Sequence, residues 1–312
     1  MKFPVRLAAA AGLATASVTA SLATTGAGVP ALRVTAPDGA TSVLVASLHV
    51  PYTGLLQPLP SVLRGKAPLV VESSVTQGPQ PPAPKVQDML APDAMPSLAS
   101  QGRLGRAPWA MSLSDDELAT LRRTGHCLQP PFNDQAIDLL LAMKSPAAAA
   151  SVANARCGKP GQLSRDEILT RAATAFGVPT DTLETQVAVD RQRKAVPDRI
   201  YEAQLRSAFG PQAAHNYAVT VAALNRGDYA AVLHLENTGY ADPADAATFY
   251  RLMVEERNRA WMAPLQRYLN EGNAFIVVGA AHLPGHAGLI RLLRQAGYRI
   301  EPITLPADPE QG

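Results

Sequence analysis

Apolar and polar positions follow one rhythm at the two ends of this chain and another in its middle. Near the start, Ala31-Leu-Arg-Val-Thr35 and Thr41-Ser-Val-Leu-Val-Ala-Ser47 flank the turn Pro37-Asp-Gly39. Two short runs around such a turn predict a β-hairpin. Pro68-Leu-Val-Val-Glu72 predicts a third short strand, apolar enough for a sheet interior. From about residue 112 the period becomes helical. Ser114-Asp-Asp-Glu117 and Ser164-Arg-Asp-Glu167 each place a serine three residues before a glutamate, ahead of an apolar-periodic run. Both read as capping boxes, with Gly125 and Gly177 as stops. Further helices are predicted over 134–144, 181–194, 198–209, 212–225 and 228–236. A long helix is predicted from about Asp245 to Asn270, kinked or split by Pro264. Strand pattern returns only at Ala274-Phe-Ile-Val-Val278. A helix over 287–296 follows, with Leu289, Ile290, Leu292 and Leu293 inward and Arg291 and Arg294 outward. Gly297 ends it, and Tyr298-Arg-Ile-Glu-Pro302 is a last strand.

Strands at both ends cannot bury their faces separately, so they are expected to share one sheet. The fold class is therefore α/β (α+β): a mixed central sheet of N- and C-terminal strands around a large helical section, 112–271. Residues 30–304 read as a single domain. Residues 75–110, opening on Pro79-Gln-Pro-Pro-Ala-Pro84, read as a loop or polyproline insertion. No internal repeat at a solenoid period is visible.

The 312 residues are 47% hydrophobic and 17% charged, which places the chain among globular proteins. No apolar run reaches the ~18 residues of a membrane span. Lys2 and Arg6 precede Leu7-Ala-Ala-Ala-Ala-Gly-Leu13, and Ala14-Thr-Ala16 and Val18-Thr-Ala20 offer small-residue cleavage sites. This predicts a signal peptide over 1–20, with cleavage as late as 28, and hence an exported, periplasmic or secreted protein. The other reading is a disordered Ala-rich tail. Removing Lys2 and Arg6 turns the formal net charge of +2 into 26 basic against 26 acidic residues. That balance predicts no nucleic-acid partner. In an export compartment Cys127 and Cys157 are expected to pair, the alternative being two buried free thiols.

The candidate chemistry sits where strands end. His49 follows the second strand, Glu72 ends the third and His282 follows the late one. Arg257-Asn258 lies in the long helix just before that late strand. Two imidazoles and a carboxylate are a usual ligand set for a divalent metal with open positions. Such a metal lowers the pKa of a water and polarises a carbonyl. The expected reaction is hydrolysis, with Arg257 or Asn258 stabilising the oxyanion and Glu72 as ligand or base. Blander readings stand beside these. A strand-end histidine is more often a hydrogen-bonded structural residue than a ligand. Glu72 could cap a following helix or pair with Arg33. Arg257 could lie on a solvated face among Arg251, Glu255, Glu256 and Arg259. No H-E-x-x-H, G-x-S-x-G or P-loop occurs. His126, His215, His234 and His286 show no partners and read as structural or surface residues. Ser73 and Ser74 lack the base and strained elbow of a nucleophile.

Taken in order, these segments resemble the TraB/GumN family, which is related to the Tiki metalloproteases. Ile276-Val-Val-Gly-Ala-Ala-His-Leu-Pro-Gly285, continued through Gly288-Leu-Ile to Ala296-Gly-Tyr298, resembles the family's C-terminal G-x-x-H motif and its following helix. Val254-Glu-Glu-Arg-Asn258, Leu183-Glu-Thr185 and Gly227-Asp228 resemble its Arg-Asn helix, its mid-chain segment and its Gly-Asp turn. Ala46-Ser-Leu-His49 stands at the first G-x-x-H, and Val71-Glu72 at the strand-end glutamate. The departures are Ala46 where the family has glycine, the proline-rich 75–110, and His286 where an acid is common. A methyl at Ala46 is expected to crowd the backbone turn that aims His49. The resemblance implies a metal-dependent peptidase, with Mn or Co as in the Tiki relatives, acting on a peptide or small molecule. The alternatives are a non-enzymatic envelope protein that binds haem or another ligand or assists polysaccharide production or export, and a scaffold disabled at Ala46.

Overall fold

The computed structural model describes residues 28–73, 86–92, 94, 104–128, 130–155, 157, 159 and 162–309. The leader pattern of residues 1–20 and most of the proline-rich segment lie outside the described residues. The expected hairpin forms: β1 (Val29–Thr35) runs antiparallel to β2 (Thr41–Ser47). Gly39, at φ +96°, lets the chain reverse, and Ala36 N–H donates to Ala40 O across the turn. β3 (Leu69–Val71), β4 (Thr180–Thr182), β5 (Phe275–Gly279) and β6 (Arg299–Leu305) complete one sheet of order β4-β3-β5-β2-β1-β6. β4, β3, β5 and β2 are mutually parallel, and β1 is antiparallel to both β2 and β6. The mixed α/β architecture expected from strands at both ends is the one present.

β5 explains why the ends meet. All five of its residues are buried, so it needs cover on both faces and a neighbour on each side. Its alternation divides the core. Ile276 and Val278 join Leu44, Ala46, Val70, Trp261 and Leu265 on one face. Phe275 and Val277 join Val45, Leu69, Leu169 and Ala173 on the other. A third apolar cluster, including Trp109, Leu121, Ile137, Leu141 and Ile200, lies within the helical section.

Both capping boxes form. Ser114 Oγ accepts from Glu117 N–H and Ser164 Oγ from Glu167 N–H, and each glutamate returns a bond to the serine N–H. Gly177 ends helix Arg165–Phe176 in the left-handed region at φ +66°. Four details differ from the sequence pattern. Residues 180–182, read as lying at a helix start, form β4, and the helix begins only after Thr185 caps it at Gln186. Their Thr-Asp-Thr sequence carries no apolar alternation, so pairing with β3 decides. Gly125 does not stop its helix, which continues to Cys127. A Cβ at Gly125 would lie 2.5 Å from Ile137 Cδ1, so this glycine serves close packing. The long helix runs unbroken through Pro264 to Glu271. Its irregularity lies earlier, as a π-helical turn at Arg251–Glu255 between helices Pro243–Tyr250 and Glu256–Glu271.

Cys127 and Cys157 are joined as a disulfide across 30 residues, with Cα atoms 5.6 Å apart. Among the described residues no helix is long and apolar enough to cross a membrane. Closing a loop of that length restricts the unfolded chain, so Cys127→Ser/Cys157→Ser is expected to lose about 3–4 kcal/mol of unfolding free energy. Denaturant titration of the two proteins in parallel checks this, and an unchanged midpoint would count against the bridge.

Candidate active site

Four parallel strands end at one edge of the sheet, and each delivers a polar residue there. This carboxyl edge is where open α/β sheets place their sites. β2 leads through Leu48 to His49, β3 to Glu72, and β4 through Leu183 to Glu184. β5 leads into a short 3-10 turn, Ala280–His282. Leu183 and Glu184 N–H both donate to Glu72 O, at 3.1 and 3.0 Å, and so tie two strand ends together. The π turn sits immediately before Arg257 and Asn258 and sets the face they present.

Glu72 is the hub. Its Oε1 accepts from Gly279 N–H at 2.6 Å and faces His49 Nε2 at 3.3 Å and His282 Nε2 at 3.7 Å. Its Oε2 accepts from Arg257 Nη2 at 2.7 Å. Arg257 Nε and Nη2 also reach Glu184 Oε1, at 2.9 and 2.5 Å. Its Nη1 meets Met253 O at 3.0 Å and His282 Nε2 at 3.2 Å. All five guanidinium donors are thereby engaged.

The hydrogen bonds fix one imidazole tautomer. Asn258 Nδ2 donates to His282 O and Ala287 O, at 3.0 and 2.9 Å. Its Oδ1 must then accept, and it faces His282 Nδ1 at 2.7 Å. His282 therefore carries its proton on Nδ1 and points the Nε2 lone pair at the site. Burial pushes its pKa down to about 3, so the ring stays neutral. Trp261 packs against it, ring centroids 4.4 Å apart. His49 differs in every respect. Its side chain is 45% exposed, and its Nδ1 meets Asp166 Oδ1 at 3.1 Å. Its backbone is left-handed, φ 60°. Its surroundings oppose the charged ring, but Glu72 and Asp166 outweigh that and raise its pKa well above the ordinary histidine value. Burial likewise opposes ionised Glu72, but His49 and Arg257 hold its pKa well below the usual range.

The five residues expected at the site, His49, Glu72, Arg257, Asn258 and His282, thus come together. Arg257 is buried rather than on a solvated face, and Glu72 pairs with it rather than with Arg33. The expected oxyanion role fits neither Arg257 nor Asn258, because their donors are spent on the protein itself. They are positioning residues. His126 and His286 do have partners, Asp134 at 3.0 Å and Glu255 at 2.7 Å, both outside this cluster. Sequence reasoning missed Asp166 and Glu184. Asp166 lay inside a capping box and Glu184 inside the Leu183-Glu-Thr185 segment, where each already had a local explanation. It also missed Arg165, buried at 1% exposure, which donates to Ala46 O, to Leu56 O at 2.5 Å and to Gln57 Oε1 at 3.4 Å. Ser47 Oγ donates to Asp166 and accepts from His49 N–H at 3.1 Å. Ala46 does not sit at the turn. It is a regular β2 residue opposite Val278, its methyl in the core, and the turn falls three residues later at His49.

Gly279 explains the centre. A Cβ there would lie 2.8 Å from His49 Nε2, 3.2 Å from Glu72 Oε1 and 3.4 Å from His282 Cδ2. The glycine leaves open the space on which the three side chains converge. Donors 3.3 and 3.7 Å apart have the spacing of ligands around an ion bound at about 2.0–2.1 Å. Both Nδ1 atoms are held by oxygen acceptors, the usual support for ligating histidines. The donor types are therefore those that a divalent metal takes. Among the described residues, however, no cluster of three or more His, Cys, Asp or Glu side chains is arranged as a ready metal site. Glu72 and His49 face each other as an ion pair, and Arg257 Nη1 faces His282 Nε2. Beside the cluster opens a cavity of about 480 Å³. It begins at Leu48 and Val50, which flank His49, and reaches Met253 and Val254 in the π turn.

The model of the TraB/PrgY/gumN family matches residues 31–302 of this chain. No curated protein and no solved structure matches it.

Only glycine adopts the His49 backbone conformation without steric cost. Both His49→Gly and His49→Ala remove the same side-chain bonds. His49→Gly is therefore expected to be more stable than His49→Ala by about 1 kcal/mol. Thermal melts of the two variants check it, and equal stability would show that the turn is unstrained.

Proposed function

The chain belongs to the TraB/PrgY/gumN family, and we propose that it is an exported metal-dependent hydrolase whose centre is His49, His282 and Glu72. The observation that carries this reading is the approach of two imidazole nitrogens to one carboxylate oxygen, Glu72 Oε1, beside Gly279, whose missing side chain leaves the space open. His49 Nε2, His282 Nε2 and Glu72 would hold the ion. A bound Mn, Co or Zn would polarise a substrate carbonyl and acidify a water.

The remaining work falls to the chain's own groups. Asp166 and Asn258 hold the two Nδ1 atoms, so both Nε2 atoms face inward. Arg257 holds Oε2 of Glu72 and leaves Oε1 as the inward oxygen. Glu184 balances the guanidinium that holds Glu72. The proton on His49 is the cation of the closed arrangement, and binding of a metal would release it. His49 is also the most exposed of the three, and its neighbours Leu48 and Val50 line the cavity where a peptide or small carbonyl substrate would lie. The leader pattern of residues 1–20 supports export. A bis-histidine haem is a poorer fit, because the Glu72 carboxylate stands between the two Nε2 atoms where a porphyrin would have to lie.

Purified protein reconstituted with Mn, Co or Zn and then desalted is expected to retain close to one ion per chain by elemental analysis. His49→Ala and His282→Ala are expected to lose it, and Asn258→Ala to weaken it by about 10–100-fold. Gly279→Ala should keep the circular dichroism of the wild type and lose the ion. Absence of metal from wild type, or unchanged occupancy in both histidine variants, would sink the proposal.

A further inference from the structure

The cavity beside the cluster has walls of an unusual kind. Two aromatic pairs line it: Tyr52 stacks on Tyr217 at 5.0 Å, and Tyr240 meets Phe249 at 5.8 Å. Tyr250 lines it too, with its hydroxyl on Pro284 O at 3.3 Å. The Tyr217 hydroxyl donates to Asn154 O at 2.6 Å, and the Tyr240 hydroxyl accepts from Gln204 at 2.5 Å. The polar tips of Tyr217, Tyr240 and Tyr250 are therefore held by the protein.

Among these rings stands one acid, Glu236, on helix Tyr229–Thr238. Its side chain is open to the cavity, and its carboxylate has no hydrogen bond or ion pair among the described residues. The nearby charges do not neutralise it. Arg193, also in the lining, is ion-paired with Asp190 at 3.9 Å and is 57% exposed. Glu255, near Tyr250, pairs with Arg259 and His286. Of the groups that bear on Glu236, only His49 is cationic. A carboxylate without a protein partner that faces a ring-lined cavity is a good arrangement for a cation. Ring faces attract a cation, and the carboxylate supplies the counter-charge.

We propose that this cavity is a recognition pocket for a cationic amine: Glu236 pairs with the ammonium or guanidinium of the ligand while the Tyr217, Tyr240 and Tyr250 rings surround it. The ligand is then an amine-bearing molecule, a basic side chain or peptide amino terminus in the case of a peptide. The pocket opens beside His49, so the amine sits to one side of the reacting group and sets which bond is presented. The inference concerns binding alone and holds whether or not the cluster binds metal.

The test uses full-length, metal-free protein and three probes that share a ring and differ in charge: benzylamine, benzyl alcohol and benzoate. None has a bond for a hydrolase to cut, so failure of the hydrolase reading leaves the result untouched. Protein around the cavity pushes the Glu236 carboxyl up to about 7. Titrations therefore run near pH 8, where it is ionised. Calorimetry or ligand-observed NMR is expected to give benzylamine about tenfold tighter binding than benzyl alcohol, with benzoate weakest. Glu236→Gln is expected to bring benzylamine to the level of benzyl alcohol while melting no lower than wild type. Tyr217→Leu is expected to weaken benzylamine more than benzyl alcohol. Equal affinities, tightest binding of benzoate, or a preference that survives in Glu236→Gln would overturn the proposal.

Discussion

One buried guanidinium holds this site in shape. Glu72 and Glu184 end adjacent strands with side chains only 12% and 8% exposed, and two carboxylates so placed repel each other in a medium that screens weakly. Arg257, 9% exposed, lies between them and bonds both. Desolvating these three groups is costly, and the cost is offset only because every donor finds an acceptor. Arg257 also stacks over Trp261 at 4.8 Å, and Trp261 in turn packs against His282. The guanidinium thus sets the distance between β3, β4 and the turn after β5. The π turn belongs to this constraint. One wider turn ahead of Arg257 and Asn258 lets consecutive helical residues serve two partners, the carboxylates and the His282 loop.

Within that frame the two histidines have opposite characters. His282 is sealed, neutral and fixed in one tautomer by an asparagine whose own orientation is fixed by two carbonyls. His49 is half exposed, left-handed in its backbone, and held between two acids that favour its charged form. A pair of imidazoles with a permanent acceptor on one side and an exchangeable proton on the other suits a centre that must take up and release a cation. Gly279 keeps the space between them open, and Ser47, its partner in register on β2, steadies the acid behind His49.

Much of this was legible in the residues because strand ends carry strong signals. A histidine or glutamate that terminates an apolar run is conspicuous, and three such runs pointed to His49, Glu72 and His282. The capping boxes were equally plain, since a serine and a glutamate three apart satisfy each other whatever the fold. The rest was hidden for physical reasons. Asp166 looked like part of a helix start, and only the sheet's geometry brings it to His49. β4 has no apolar pattern, because Thr180-Asp-Thr182 is an edge strand held by backbone pairing with β3. Glu184 was invisible as a partner for the same reason. Arg257 and Asn258 were found, but spacing along the chain cannot reveal that a donor is already spent.

The position of β5 has a consequence for how the molecule comes into being. The strand that fills the middle of the sheet belongs to residues 275–279, while its neighbours β2 and β3 belong to residues 41–71. A ribosome or a translocation channel releases the chain from its amino end. The hairpin and the helical section are therefore delivered long before the piece that joins them. Until then β2 and β3 lack the strand that pairs with both of them. Folding is thus a late event that closes loops of some two hundred residues, slow by the logic of contact order. Any chain that stops short of Phe275 keeps its edges open, a defect that chaperones and proteases recognise.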